Sequence, residues 1–100
     1  EFVNKWKGRI INIHPSLLPK FGGPGMYGIR VHEAVLKAGE QESGCTVHYV
    51  DTGVDSGEII AQKRVKVLEG DTPEILQKRV LVEEHKLLPE SIAKIISERR

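Results

Sequence analysis

The chain has 100 residues, 39% of them hydrophobic, and sets 15 Lys and Arg against 14 Asp and Glu for a formal net charge of +1. That length bounds one domain or part of one, and the ordinary apolar fraction predicts a globular fold. Balanced charge without a basic cluster argues against a nucleic-acid or membrane surface, and the apolar runs are too short to span a bilayer.

Glu1 to Lys7 reads as the end of a short helix with Phe2, Val3 and Trp6 on one side and Gly8 as its stop. The first residue is not methionine and a helix-to-strand transition is already under way, so the sequence is expected to be part of a longer protein. Arg9 to His14 is predicted as a strand. Ile10, Ile11 and Ile13 are β-branched and close enough together to predict burial on both faces, as in an interior parallel strand. Pro15 cannot donate to a sheet ladder, so the strand ends at His14. Asn12 and His14 are two apart and share a face at its carboxyl end, the edge where ligands bind in open α/β sheets. Asn12 can donate to a developing oxyanion, and His14 can exchange a proton near neutral pH. Spacing alone equally allows a buried Asn–His pair that only satisfies turn backbone.

Phe21-Gly22-Gly23-Pro24-Gly25-Met26-Tyr27-Gly28 is a glycine-rich loop and a candidate ligand wall. It lacks the Gly-Lys-Ser/Thr ending of a phosphate-binding Walker loop. Ile29 to Ala38 has helical spacing in Val31, Ala34, Val35 and Ala38, with Gly39 as the stop and His32 expected to face solvent or cap locally. Cys45–Val50 alternates as a strand, Asp51–Gly57 is a turn, and Glu58–Val67 is a second strand, the two pairing antiparallel. The turn lacks the residue order of a calcium loop. Asp71-Thr72-Pro73-Glu74 starts a long helix with an apolar stripe at Leu76, Val80, Leu87, Leu88, Ile92, Ile95 and Ile96. Pro89 should kink or divide it. Glu84 lies four residues from Val80 and from Leu88, so a carboxylate borders the core face, where it either reaches water or meets a ligand hydroxyl.

The four histidines fall on separate elements without the spacing of a zinc site, so no metal is expected. Ser16 beside His14 lacks the strand–elbow–helix context of a nucleophile. The single Cys45 cannot close an internal disulfide, which fits a reducing, cytoplasmic setting.

Three ordered motifs, Asn12-Ile13-His14-Pro15-Ser16-Leu17-Leu18-Pro19, Gly44-Cys45-Thr46-Val47-His48 and Val54-Asp55-Ser56-Gly57-Glu58-Ile59-Ile60-Ala61-Gln62, resemble the formyltransferase family that uses 10-formyltetrahydrofolate. Arg79 and Glu84-His85 match a further helical pattern of that family. The resemblance implies an α/β fold, part of a three-layer domain with a mixed, mostly parallel sheet and a long C-terminal helix. Residues 1–100 would be its carboxyl-terminal, folate-binding and catalytic portion, without the amino-terminal nucleotide-type half that grips the substrate phosphate. The implied reaction moves a formyl group from 10-formyltetrahydrofolate, as cosubstrate, to the amine of glycinamide ribonucleotide in purine biosynthesis. The implied roles are Asn12, His14 and Asp55 as catalytic residues and His48 as a supporting one. Asn12, Val50, Asp51, Thr52, Gly53, Val54 and Asp55 would line the folate pocket, and Pro15 and Glu84 would meet the substrate. The residues themselves give no reason to choose Asp55 over Asp51.

The formyltetrahydrofolate hydrolase and methionyl-tRNA formyltransferase branches share the triad. The His14–Pro19 run and the Gly25–Gly28 loop favour the purine branch. A non-catalytic folate-binding or assembly fragment is the rival from another class. The fragment alone is expected to transfer little formyl group, and an open strand edge is expected to recruit the missing half or a second copy as a homodimer.

Overall fold

The computed structural model describes residues 11–50 and 58–98. Five elements follow in order: β1 (Ile11–His14), α1 (Ile29–Lys37), β2 (Glu42–Tyr49), β3 (Ile59–Lys66) and α2 (Pro73–Glu98). The strands form one sheet in the order β1-β2-β3, with both neighbouring pairs antiparallel. The β2–β3 pairing is the one expected. The parallel pairing expected of the Ile10–Ile13 run is not among the described pairs: β1 runs against β2, with Asn12 opposite His48 and His14 opposite Thr46. Consecutive isoleucines were a poor guide to two-sided burial here, because Asn12 is exposed and Ile11 and Ile13 are half-buried.

β2 is the central strand, buried without interruption from Ser43 to His48. It begins three residues before Cys45 because Glu42 to Gly44 stay in register with Arg64 to Lys66. Gly44 is required there. A Cβ at that position would collide with the Lys63 carbonyl oxygen and stand 2.8 Å from Leu17 Cδ2, so only glycine lets β3 and the loop after β1 close on β2 together. Val47 pairs with Ala61 and His48 with Ile59, which leaves Ile60 as a bulge.

One sheet face carries the core. Val31 and Val35 of α1, Cys45, Val47 and Val65 of the strands, and Leu76, Val80 and Leu87 of α2 form a single buried cluster. Burying each such aliphatic side chain contributes roughly 1.5–3 kcal/mol before chain entropy is counted. Helix α2 starts where the sequence signals it: Thr72 Oγ1 accepts the Ile75 N–H at 3.2 Å, and Pro73 takes the first turn, where no N–H is needed. Its buried line continues through Ser91 rather than along the predicted stripe, leaving Ile92 42% and Ile96 52% exposed. Leu88 still packs against the core, but steps of four residues advance about 40° beyond a full helical turn, so Ile92 and Ile96 drift off the core face. The helix runs through Pro89 as one element, not two. Pro89 is exposed, so the His85 carbonyl it strips of a partner faces water rather than the core.

Candidate active site

The opposite sheet face is polar. Residues facing each other across an antiparallel pair share a face, so Asn12, His14, Thr46, His48 and Gln62 stand together. After Pro15 the chain folds back over this face, and Thr46 ties it down. Thr46 Oγ1 donates to the Ser16 carbonyl at 2.7 Å and accepts the Leu18 N–H at 3.1 Å and Gln62 Nε2–H at 3.0 Å. Gln62 Nε2–H also reaches the Leu18 carbonyl at 2.9 Å. Ser16 is fully buried and its hydroxyl donates to the Lys20 carbonyl at 2.6 Å, a loop-closing bond that leaves no nucleophile.

His14 ends β1 and is only 5% exposed. Its Nε2–H donates to the Phe21 carbonyl at 2.9 Å, which fixes the proton on Nε2 because a carbonyl can only accept. Phe21 sits at φ 56°, an unfavourable conformation for a bulky residue, at the point where its carbonyl holds the imidazole. The glycine-rich loop therefore starts by orienting His14. Asn12 is exposed one residue pair away, with its carboxamide open to a ligand. His48 is buried opposite it, and its Nδ1–H donates to the Tyr49 carbonyl at 3.1 Å.

His32 corrects the sequence reading. It is 1% exposed, not solvent-facing, and lies within electrostatic reach of His14. Burial first, and then His14, push its pKa below the usual histidine value. Val35 and Leu36, three and four residues on, placed it on the packed side of α1, a signal that its polar character had outweighed.

Glu84 is half-buried on α2, and burial pushes its carboxyl above the usual range, with His85 pulling the other way. Among the described residues the carboxylate has no hydrogen bond and no ion pair. The buried Cys45 thiol is pushed up to about 12, chiefly by its own burial and then by Glu84 and Glu83. Cys45 faces the core beside Thr46, whose side chain lies on the opposite face with His14, so Glu84 borders the covered face of the same strand. Arg79 grips Asp71 with two bonds of 2.6 and 2.8 Å and fixes the start of α2.

Asn12, His14 and His48 are thus assembled on one face, half-buried Pro15 follows directly, and Val50 is half-buried just past β2. Asp51, Thr52, Gly53, Val54 and Asp55 lie outside the described residues. A groove of about 500 Å³ opens beyond Thr46, between the Leu17–Phe21 loop and the start of β2. Its charges are already matched, Lys20 with Glu40 at 3.0 Å and Arg64 with Glu42 at 3.7 Å. Among the described residues no cluster of His, Cys, Asp and Glu is placed to hold a metal, and no helix is long and apolar enough to cross a membrane.

An Asn-x-His strand end thus stands beside a Thr-x-His strand under a tethered loop. Residues 1–92 match the model described as formyl transferase, and the chain belongs to that family. It is 54% identical over 99 residues to a chloroplastic phosphoribosylglycinamide formyltransferase of Arabidopsis thaliana, covering 99% of this chain and 34% of the relative. It is also 54% identical over 96 residues to a trifunctional purine biosynthetic protein adenosine-3 of Drosophila pseudoobscura pseudoobscura, covering 96% of this chain and 7% of that one. Among solved structures, the phosphoribosylglycinamide formyltransferase of Anaplasma phagocytophilum superposes with a TM-score of 0.87 at 44% identity, covering 97% of this chain and 44% of that one. The chain therefore spans about a third of the plant relative and less than half of the bacterial one.

Proposed function

We propose that this chain is the catalytic, folate-binding part of a phosphoribosylglycinamide formyltransferase, which moves a formyl group from 10-formyltetrahydrofolate to the amine of glycinamide ribonucleotide. The observation that carries the reading is Asn12 and His14 held on one face at the end of β1, in a chain 54% identical to a relative of that name. The substrate amine attacks the formyl carbon, and the carbonyl oxygen becomes an oxyanion that accepts a hydrogen bond from Asn12. The C–N10 bond then breaks. The proton lost by the amine reaches N10 by way of His14, acting as the proton donor to the leaving nitrogen. Asp55 orients His14 by accepting a hydrogen bond from its ring. Val50 to Asp55 contribute the pterin pocket, His48 supports the catalytic residues from the adjacent strand, and Pro15 and Glu84 meet the substrate. An unpartnered, half-buried carboxylate such as Glu84 is suited to accepting ribose hydroxyls. No metal enters these steps.

The remainder of the relatives' length supplies the other half of the site. In this reading the free edge of β1 continues into a mostly parallel sheet in a three-layer domain, and the amino-terminal half holds the phosphate. The segment alone then binds substrate weakly and transfers little formyl group, because remote binding energy normally holds the reacting atoms together. Without that half the open edge recruits a second copy. Buried, unpaired Cys45 fits a reducing cytoplasm. The test is to give the full-length protein 10-formyltetrahydrofolate with glycinamide ribonucleotide, water alone, or methionyl-tRNA. Formylation of glycinamide ribonucleotide is expected. Formate release as the main product, or transfer to the tRNA, would move the assignment to another branch.

A further inference from the structure

His48 holds a nitrogen that the fold leaves unused. Its ring is 3% exposed, and Nδ1–H is committed to the Tyr49 carbonyl. With the proton on Nδ1, Nε2 of the neutral ring is an acceptor. Among the described residues that buried Nε2 has no hydrogen-bond partner. A buried acceptor left without a donor is costly, so the fold gains when one is supplied. Directly across the strand pair stands Asn12. Opposed residues in an antiparallel pair have Cβ atoms about 4.5–5.5 Å apart, a gap that a carboxamide and an imidazole can bridge with one hydrogen bond.

Asn12 has the complementary surplus. It is exposed, bonds to no described residue, and carries two N–H donors where an oxyanion needs one. A freely rotating amide is a poor oxyanion donor, because such donors act by being fixed before charge develops. We propose that His48 is a positioning residue for Asn12: when substrates close the site, Nε2 of His48 accepts one N–H of the Asn12 carboxamide and turns the other toward the formyl oxygen. This assigns His48 a specific atom and a specific partner, and it rests on the role given to Asn12 above.

The experiment uses the full-length protein with two substitutions that split the ring. His48→Asn keeps a group near Nδ1 and removes Nε2, whereas His48→Gln restores an acceptor near the Nε2 position. H48N should lower kcat about 10- to 100-fold, part of the ~10²–10³ lost when an oxyanion donor is removed, with both KM values within about twofold. H48Q should recover most of that rate. In an Asn12→Ala background, H48N should change kcat by less than about twofold, because the two residues act as a unit. A full H48N effect persisting in N12A, or H48Q as slow as H48N, would overturn the pairing.

A second readout does not depend on turnover. In long-range 15N spectra, His48 Nε2 should move upfield when wild-type protein is saturated with glycinamide ribonucleotide and a non-transferring deazafolate, and should stay put in N12A. An unmoved wild-type resonance overturns the inference even if a variant misfolds. Failure of the functional reading looks different: wild type would not formylate glycinamide ribonucleotide at all.

Discussion

Asp71→Asn tests how the start of α2 is held. The Asp71 side chain is 4% exposed and collects three donors: Arg79 Nη1 at 2.6 Å, Arg79 Nη2 at 2.8 Å and the Leu68 N–H at 2.8 Å. Arg79 above all, and the Leu68 N–H after it, hold the carboxyl near 2 against an ordinary 3.8, with burial opposing them. Each unit is 1.36 kcal/mol, so the gap sets a ceiling of about 2.5 kcal/mol. Arg79 is 28% exposed, and solvent screening brings the expected loss down to about 1–2 kcal/mol. In a domain of this size that is a fall in Tm of about 4–8 °C per kcal/mol. Because the folded pKa is depressed, the stabilisation is complete above pH 3.8 and disappears as pH falls toward 2. Urea unfolding of both proteins from pH 7 to pH 2.5 should show a gap that closes across that window. A gap below ~0.5 kcal/mol at pH 7, the size of an ordinary surface change, or one that is unchanged at pH 2.5, would refute the reasoning.

Thr46→Val leaves the Leu18 N–H, the Ser16 carbonyl and the Gln62 amide without their shared hydroxyl, and should cost about 2–3 kcal/mol in urea unfolding; a neutral result would mean that the loop is held by other contacts. Glu84→Gln removes a half-buried charge whose carboxyl is raised, so it should stabilise the protein, with the gain growing as pH rises above the ordinary glutamate range, while raising the KM for glycinamide ribonucleotide roughly tenfold through the lost charged hydrogen bonds. Thermal scans at pH 5 and pH 8 would expose the opposite trend. Cys45, with its thiol near 12, should react with Ellman's reagent no faster than the protein unfolds, and rapid labelling of native protein would contradict its burial.

Local signals in the sequence read well where one residue type had one physical use. Thr72-Pro73 announces a helix start, Gly39 a helix end, and the Cys45–Val67 region a hairpin, and each is where the chemistry puts it. The Asn12–His14 pair was legible because Pro15 must end the strand and period two must place both on one face. What could not be read were properties of the assembled surface. Nothing local says that Gly44 is needed for close approach of Leu17 and Lys63, or that Phe21, seven residues on, offers its carbonyl to His14. His32 was misread because polarity was weighed above its neighbours Val35 and Leu36. The stripe on α2 was overextended because steps of four residues drift around the helix.

The central claim is that the carboxyl end of β1 performs the transfer, and His14→Ala in the full-length protein tests it most directly. Single-turnover transfer to glycinamide ribonucleotide should fall by ~10²–10⁴, the range of general acid–base catalysis, while the Kd for the folate stays within about twofold. A rate within about threefold of wild type would place the chemistry elsewhere, despite the geometry at Asn12 and His14.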